Sequence, residues 1–200
     1  MDFSTIQPLL PTGDVLPLIE AWTAPYDFDL KITRPRKSKL GDFRPPKPGK
    51  RSSITMNGNL GPYQFLTTFV HELAHLITWE KYGHRAAPHG KEWKQCFGAL
   101  LISLAEVHPW PEVYKKAILE HATRPKSAVG GDPGLQSILL QLDGKDDEVL
   151  LQDLAPGDEF NFKTRRFRYQ KCHRTRALVL DLGNKRLYTI PLVARIDPAD

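Results

Sequence analysis

The sequence predicts an α+β chain in two parts: a helix-rich region carrying a small antiparallel sheet, then a small antiparallel β module. Three observations carry this. Short alternating runs, FDLKIT (28–33) and SSITMN (52–57), precede a long stretch of helical periodicity that opens at Pro62 and closes at Gly83. Two further helical patterns follow, and TRPKSAVGGDPG (123–134) then breaks the periodicity. Beyond it the runs shorten and alternate again, as EFNF, RFRYQ, RALVLDL and RLYTIPL, with a Gly-Asn turn at 183–184.

Each element has a local reason. Thr12 is placed to cap a short helix over DVLPLIEAW (14–22). A third strand falls near KLGDF (39–43), and a Pro- and Lys-rich loop separates the strands. NGNLGP (57–62) is turn chemistry, and Pro62 suits the first turn of a helix that runs to about Tyr82. A second helix starts just after His89, with Trp93, Phe97, Leu100 and Leu104 on one face. A third covers 108–122, opened by Pro111. The expected domains are 1–124, a linker at 125–148 with a short helix, and a β module at 149–200. Phe160, Phe162, Phe167, Tyr169, Leu178, Leu180 and Tyr188 are expected to hold that module.

Hydrophobic content of 40% and charged content of 26% are those of a soluble globular chain. No run approaches the roughly 18 apolar residues that span a bilayer. MDFSTIQPLLPTGD has no basic region before its apolar patch, so a cytoplasmic location is expected. Cys96 and Cys172 are too far apart in sequence to suggest a disulfide framework. The net charge of +5 is concentrated: residues 31–51 hold nine Lys or Arg against Asp42 alone, and residues 163–176 hold seven with no acid. Such blocks suit a polyanion such as nucleic acid, and equally the solvated face of a sheet. In the second block, Phe167 and Tyr169 either stack on bases between arginines or point into the sheet's core.

The chemistry lies in HELAHLITWEKYGHRAAPHGKEW (71–93), which holds four of the seven histidines. His71-Glu72-x-x-His75 is the pattern H-E-x-x-H. Residues four apart on a helix lie about 40° apart on one face, so both imidazoles can share one zinc ion while Glu72 meets its water. Phe65, Leu66, Phe69, Val70, Leu73, Leu76 and Ile77 gather on one side of this helix. His71, His75, Gln64, Thr67 and Thr78 gather on the other. A catalytic zinc takes three protein ligands. The extension x-x-G-x-x-H fails, because Thr78 and Lys81 stand at its fixed positions. A glutamate about twenty residues beyond His75 fails too: Gln95 is there, and Glu92 falls short. His84 and His89 remain. His89 is favoured because it opens a helix that docks by Trp93, Cys96, Phe97 and Leu100, and a ligand at such a start is rigidly presented. His84 is then a substrate-facing, supporting or plain loop residue. His108, His121 and His173 lack partners at ligand spacing and read as surface or capping residues, and Trp93 and Trp110 read as core.

Taken together, HELAHLITWEKYGHRAAPHGKEWK resembles the SprT-like zinc metalloproteases, which include bacterial SprT and eukaryotic Spartan proteins. In that family H-E-x-x-H is followed, after a loop, by His-Gly-x-x-[Phe/Trp]; here the second motif is His89-Gly90-Lys91-Glu92-Trp93. KLGDFRP and ITMNGNL also resemble the strands before the family's zinc helix, and the likeness covers about residues 15–122. The resemblance implies a zincin-like domain with its sheet packed on the zinc helix, one catalytic Zn2+ on His71, His75 and His89, and Glu72 as base. It implies hydrolysis of peptide bonds in protein substrates, DNA-associated proteins among them. By analogy of fold, the strand near Ile54–Asn57 aligns an extended peptide.

The chain departs from bacterial SprT proteins that end in a four-cysteine zinc ribbon. Cys172 and His173 alone cannot close such a site, so the β module reads as a metal-free counterpart. The rival reading is a DNA- or protein-binding adaptor whose zinc is structural. Glu72 speaks against it, because a structural site has no use for a base.

Overall fold

The computed structural model describes residues 3–36, 39–127, 129–145 and 149–199. Lys37 of the first basic block, residues 128 and 146–148 of the expected linker, and both extreme termini lie outside the described residues. The chain forms two compact units, Met1–Val129 and Gly130–Asp200. It is an α+β protein: its described residues form five α-helices, a three-stranded sheet and a separate five-stranded antiparallel sheet.

In the first unit, Thr12 Oγ1 accepts from the Asp14 N–H at 3.3 Å and leads through a short 3-10 turn into α1 (Leu16–Thr23). Then come β1 (Phe28–Thr33), β2 (Gly41–Arg44) and β3 (Ser52–Asn57) in the order β1-β3-β2. The sheet is mixed rather than wholly antiparallel: β2 pairs antiparallel with β3, and β1 pairs parallel with it. The cause is the segment after β1, which crosses the end of β3 and delivers β2 to the opposite edge. Asn57, buried at the end of β3, pins that crossing. Its Nδ2 donates to the carbonyls of Arg36 (2.7 Å) and Lys39 (3.1 Å), and its Oδ1 accepts from the Arg36 N–H (2.9 Å). The β2–β3 hairpin closes on reciprocal Lys47–Lys50 backbone bonds around Pro48 and Gly49, whose φ of 73° is turn geometry open to glycine.

α2 (Pro62–Tyr82) begins on its proline and ends at Gly83, where φ is 56°. It packs on β2 and β3, with Ile54, Met56, Phe65, Phe69 and Leu73 fully buried. Each such side chain contributes about 1.5–3 kcal/mol by leaving water. α3 (Lys91–Glu106) covers another side of α2, and α4 (Glu112–Thr123) packs on α3. At Gly98 a Cβ would lie 2.8 Å from the Ala122 carbonyl, so glycine lets these two helices meet. The polar side of α2 is therefore buried as well: Gln64, Thr67, Thr68, His71, Glu72 and Thr78 are each 6% exposed or less. Thr67 shows how polarity survives there, with Oγ1 donating to the Tyr63 carbonyl (2.8 Å) and lying 3.0 Å from the Tyr114 hydroxyl.

In the second unit α5 (Pro133–Leu142) is capped by Asp132, whose Oδ1 accepts from the Leu135 N–H, and buries Leu135, Leu139 and Leu140. The sheet follows as β4 (Glu159–Phe162), β5 (Arg165–His173), β6 (Arg176–Asp181), β7 (Leu187–Pro191) and β8 (Asp197–Pro198), ordered β7-β6-β5-β4-β8. Its core holds Leu151, Phe160, Phe167, Tyr169, Val179 and Ile190, with Phe162 and Tyr188 packed against them. Ala177, Val179 and Asp181 turn inward on β6, whereas Leu178 and Leu180, expected in the core, take the other face. The pairing of β5 with β6 sets this, since inward Tyr169 lies opposite Val179. Buried Asp181 pairs with Arg165 and accepts from the N–H groups of Gly183 and Asn184 in the turn.

Candidate metal centre

One turn of α2 places His71 and His75 on the same side, and His89 meets them from the residue before the N-cap of α3. Ring centroids stand 5.1 Å apart for His71–His75, 5.4 Å for His71–His89 and 4.6 Å for His75–His89. One ligand atom from each lies within 4.8 Å of the others, and His75 Nε2 is 3.0 Å from His89 Nε2. His89 adopts φ 57°, a left-handed conformation unusual for a side-chain-bearing residue, and this turns its ring back toward α2.

Burial first, then the neighbouring imidazoles, pushes the His71 pKa down to about 2. His75 falls to about 4 by the same causes, and His89 is also lowered, chiefly by burial. All three rings are thus neutral at pH 7, the form that binds a metal. Their type, number and spacing fit a metal ion, and His71, His75 and His89 can hold one.

Glu72, 6% exposed, has its carboxyl raised to about 7, because burial disfavours the charge. The Phe43 N–H of β2 donates to it and opposes that shift. β2 approaches so closely that a Cβ at Gly41 would sit 2.7 Å from Glu72 Cγ and Oε1. Phe43 also lays its ring parallel to His75, at 6.2 Å and 4°. Gly41 and Phe43 were not singled out from sequence as parts of the site. A glycine inside a strand signals close backbone approach, and KLGDF carried that signal.

His84 stays outside the cluster, edge-on to Trp79 at 4.5 Å. His121, expected at the surface, is 2% exposed with its ring 5.7 Å from Phe97, because α4 closes over α3 there. His108 is a surface partner of Asp14 at 3.2 Å. Trp93 and Trp110 are core residues. The strand expected to align a peptide, β3, has both edges paired within the sheet; β2 has its outer edge unpaired among the described residues and touches Glu72 and His75.

Many arginines of the basic blocks are neutralised locally. Arg51 pairs with Asp27 and Asp29, Lys39 and Arg44 with Asp42, Arg166 and Arg168 with Glu159. Phe167 and Tyr169 are 3% and 4% exposed and face the core, so they are not stacking platforms. Lys31, Arg34, Lys47, Lys50, Lys163, Lys171 and Arg174 are exposed and meet no acid among the described residues. Among those residues no helix is long and apolar enough to cross a membrane.

Comparison with known proteins agrees with this geometry. Residues 31–103 match the SprT-like family, a span that runs from β1 into α3 and contains every residue of the cluster. Protein SprT of Enterobacter sp. (strain 638) is 61% identical over 31 residues, 16% of this chain and 18% of that protein. Protein SprT of Klebsiella pneumoniae and of Escherichia coli O1:K1 are each 58% identical over a stretch of the same length. The aligned stretch thus covers less than a fifth of these relatives' length. No solved structure matches. What the comparisons show is therefore local: residues 31–103, which carry the histidine cluster, are similar to the SprT-like family.

Proposed function

We propose that the chain is a zinc-dependent metalloendopeptidase acting on protein substrates. The observation that carries the reading is the convergence of three neutral imidazoles with buried Glu72 one residue along the same helix. Bound zinc supplies Lewis acidity toward a water and a peptide carbonyl. Glu72 takes the proton of the attacking water and returns it to the leaving amine; a carboxyl near neutrality is suited to both halves of that transfer. Gly41 and Phe43 hold the carboxylate in place, and the free edge of β2 can pair with an extended peptide beside it. Nucleic acid is proposed as a partner through the segments 31–51 and 163–176, supported by their unopposed lysines and arginines. Proteins carried on nucleic acid are then the favoured substrates.

The test is metal analysis of the purified protein with cleavage of a DNA-binding protein, with and without DNA, by the parent and by Glu72→Gln. The variant should bind zinc as the parent does and lose activity by about 10²- to 10⁴-fold. Equal cleavage removes the base assignment, and zinc without cleavage under any condition favours a structural adaptor.

A further inference from the structure

Trp93 touches all three imidazoles. Its ring lies 4.7 Å from His71, 5.1 Å from His75 and 4.6 Å from His89, measured between centroids, and it is fully buried. It is stacked on His75 at 29° and set at steep angles to the other two, so one indole fixes three different ring planes. Phe97, one turn further along α3, backs it at 5.0 Å and also contacts His71 at 5.2 Å.

A ligating histidine is ordinarily oriented by a hydrogen bond from its other nitrogen to a carboxylate or a carbonyl. Here His71 Nδ1 is buried without a hydrogen-bond partner, and the contact between His75 and His89 is with each other. The buried Nδ1 of His71 thus has neither a carboxylate nor a carbonyl to orient its ring. The orientation of the His71 ring therefore falls to packing against Trp93 and Phe97, and the same indole lies against His75 and His89. Trp93 itself carries an Nε1–H that is buried with no acceptor. A phenylalanine would fill a purely structural position without desolvating a donor, so the indole costs stability at a place where its breadth is used.

We propose that Trp93 is a positioning residue of the metal centre, the aromatic floor that presets the imidazoles of His71, His75 and His89 before an ion arrives. The proposal rests on the metal-binding reading above. Trp93 lies four residues after His89 at the start of α3, and across the helix interface from His71 and His75, so it couples the third donor to the other two.

The experiment measures Co2+ and Zn2+ affinity by chelator competition, the visible Co2+ spectrum, and thermal stability of the metal-free protein, for the parent, Trp93→Phe and Trp93→Leu. Trp93→Phe should melt at or above the parent temperature, yet bind metal about 10- to 100-fold more weakly with altered Co2+ bands, as loss of an orienting neighbour does. Trp93→Leu should bind no better than Trp93→Phe. Parent-like affinity and spectrum in a folded Trp93→Phe protein overturn the proposal while leaving the metal site standing. Failure of the parent to take up either ion removes the metal reading, and this proposal with it, before any variant is compared. Should Trp93→Leu not fold, nuclear Overhauser contacts between the indole and imidazole protons of the metal-free parent decide: their presence supports the floor, their absence overturns it.

Discussion

Glu72 and the histidines beside it pull stability in opposite directions as pH changes. Its carboxyl titrates near 7 in the native protein against an ordinary 4.5, a gap worth on the order of 3 kcal/mol. Above pH 7 both states are ionised and the native state bears the full cost of a buried charge. As pH falls through 7 the native carboxyl takes up a proton that the unfolded chain does not, and the cost is relieved by about pH 4.5. His71 and His75 act the other way, because their native values of about 2 and 4 lie below the ordinary 6.5, so acid below 6.5 favours the unfolded chain. In metal-free protein, Glu72→Gln should therefore be more stable than the parent by roughly 3 kcal/mol at pH 8.5, with the difference almost gone at pH 4.5. Urea denaturation at the two pH values, with a chelator present, measures it. A pH-independent difference would mean that the carboxylate is solvated. At this scale the three imidazoles that come together were legible from sequence, because H-E-x-x-H and His-Gly-x-x-Trp fix a spacing. The surroundings were not, since Gly41, Phe43 and the buried state of His121 depend on which strand and which helix arrive from elsewhere.

Among the elements, β2 is held by its pairing with β3 and by the Asn57 bonds to the stretch that leads into it. Three side-chain hydrogen bonds hold the crossing segment that delivers β2 to the edge. Asn57→Ala leaves two carbonyls and an N–H without partners and should cost about 3 kcal/mol. Because β2 supports Glu72 and Phe43 stacks on His75, the same variant should weaken metal binding; chemical denaturation and metal titration read the two effects. Element boundaries were largely written in local chemistry. α2 starts at Pro62 and stops at Gly83 as read, and β1 and β3 occupy 28–33 and 52–57 as read. What local chemistry does not encode is the partner. The parallel pairing of β1 follows from a crossing held by an asparagine, and β6 is apolar on both faces, so only its register against β5 selects Val179 over Leu178. The polar side of α2 was likewise identified, but not that α3 buries it, because a helical wheel records polarity and not what lies opposite.

For the whole molecule, the charge that matters for a polyanion is the charge left over. Glu159 absorbs Arg166 and Arg168, whereas Lys171 and Arg174 near the β5–β6 turn face solvent without an acid among the described residues. If this surface meets phosphates, Lys171→Glu with Arg174→Glu should lower the slope of log affinity against log salt by about 1.8, and Arg168→Ala should change it far less. Oligonucleotide binding between 50 and 200 mM salt tests this, and equal slopes in all three proteins would exclude the turn as the contact.

His89 and His75 are 14 positions apart, with the reversal at Gly83 between them. An ion shared by the two would do for this chain what a covalent bridge does elsewhere, cinching the start of one rod to the middle of another. At a thousandfold excess over its dissociation constant it would add about 4 kcal/mol. Stripping the ion should therefore lower the melting temperature and open the stretch from 83 to 90 to proteases first. A melting curve indifferent to chelator would show that the two rods are already fastened without it.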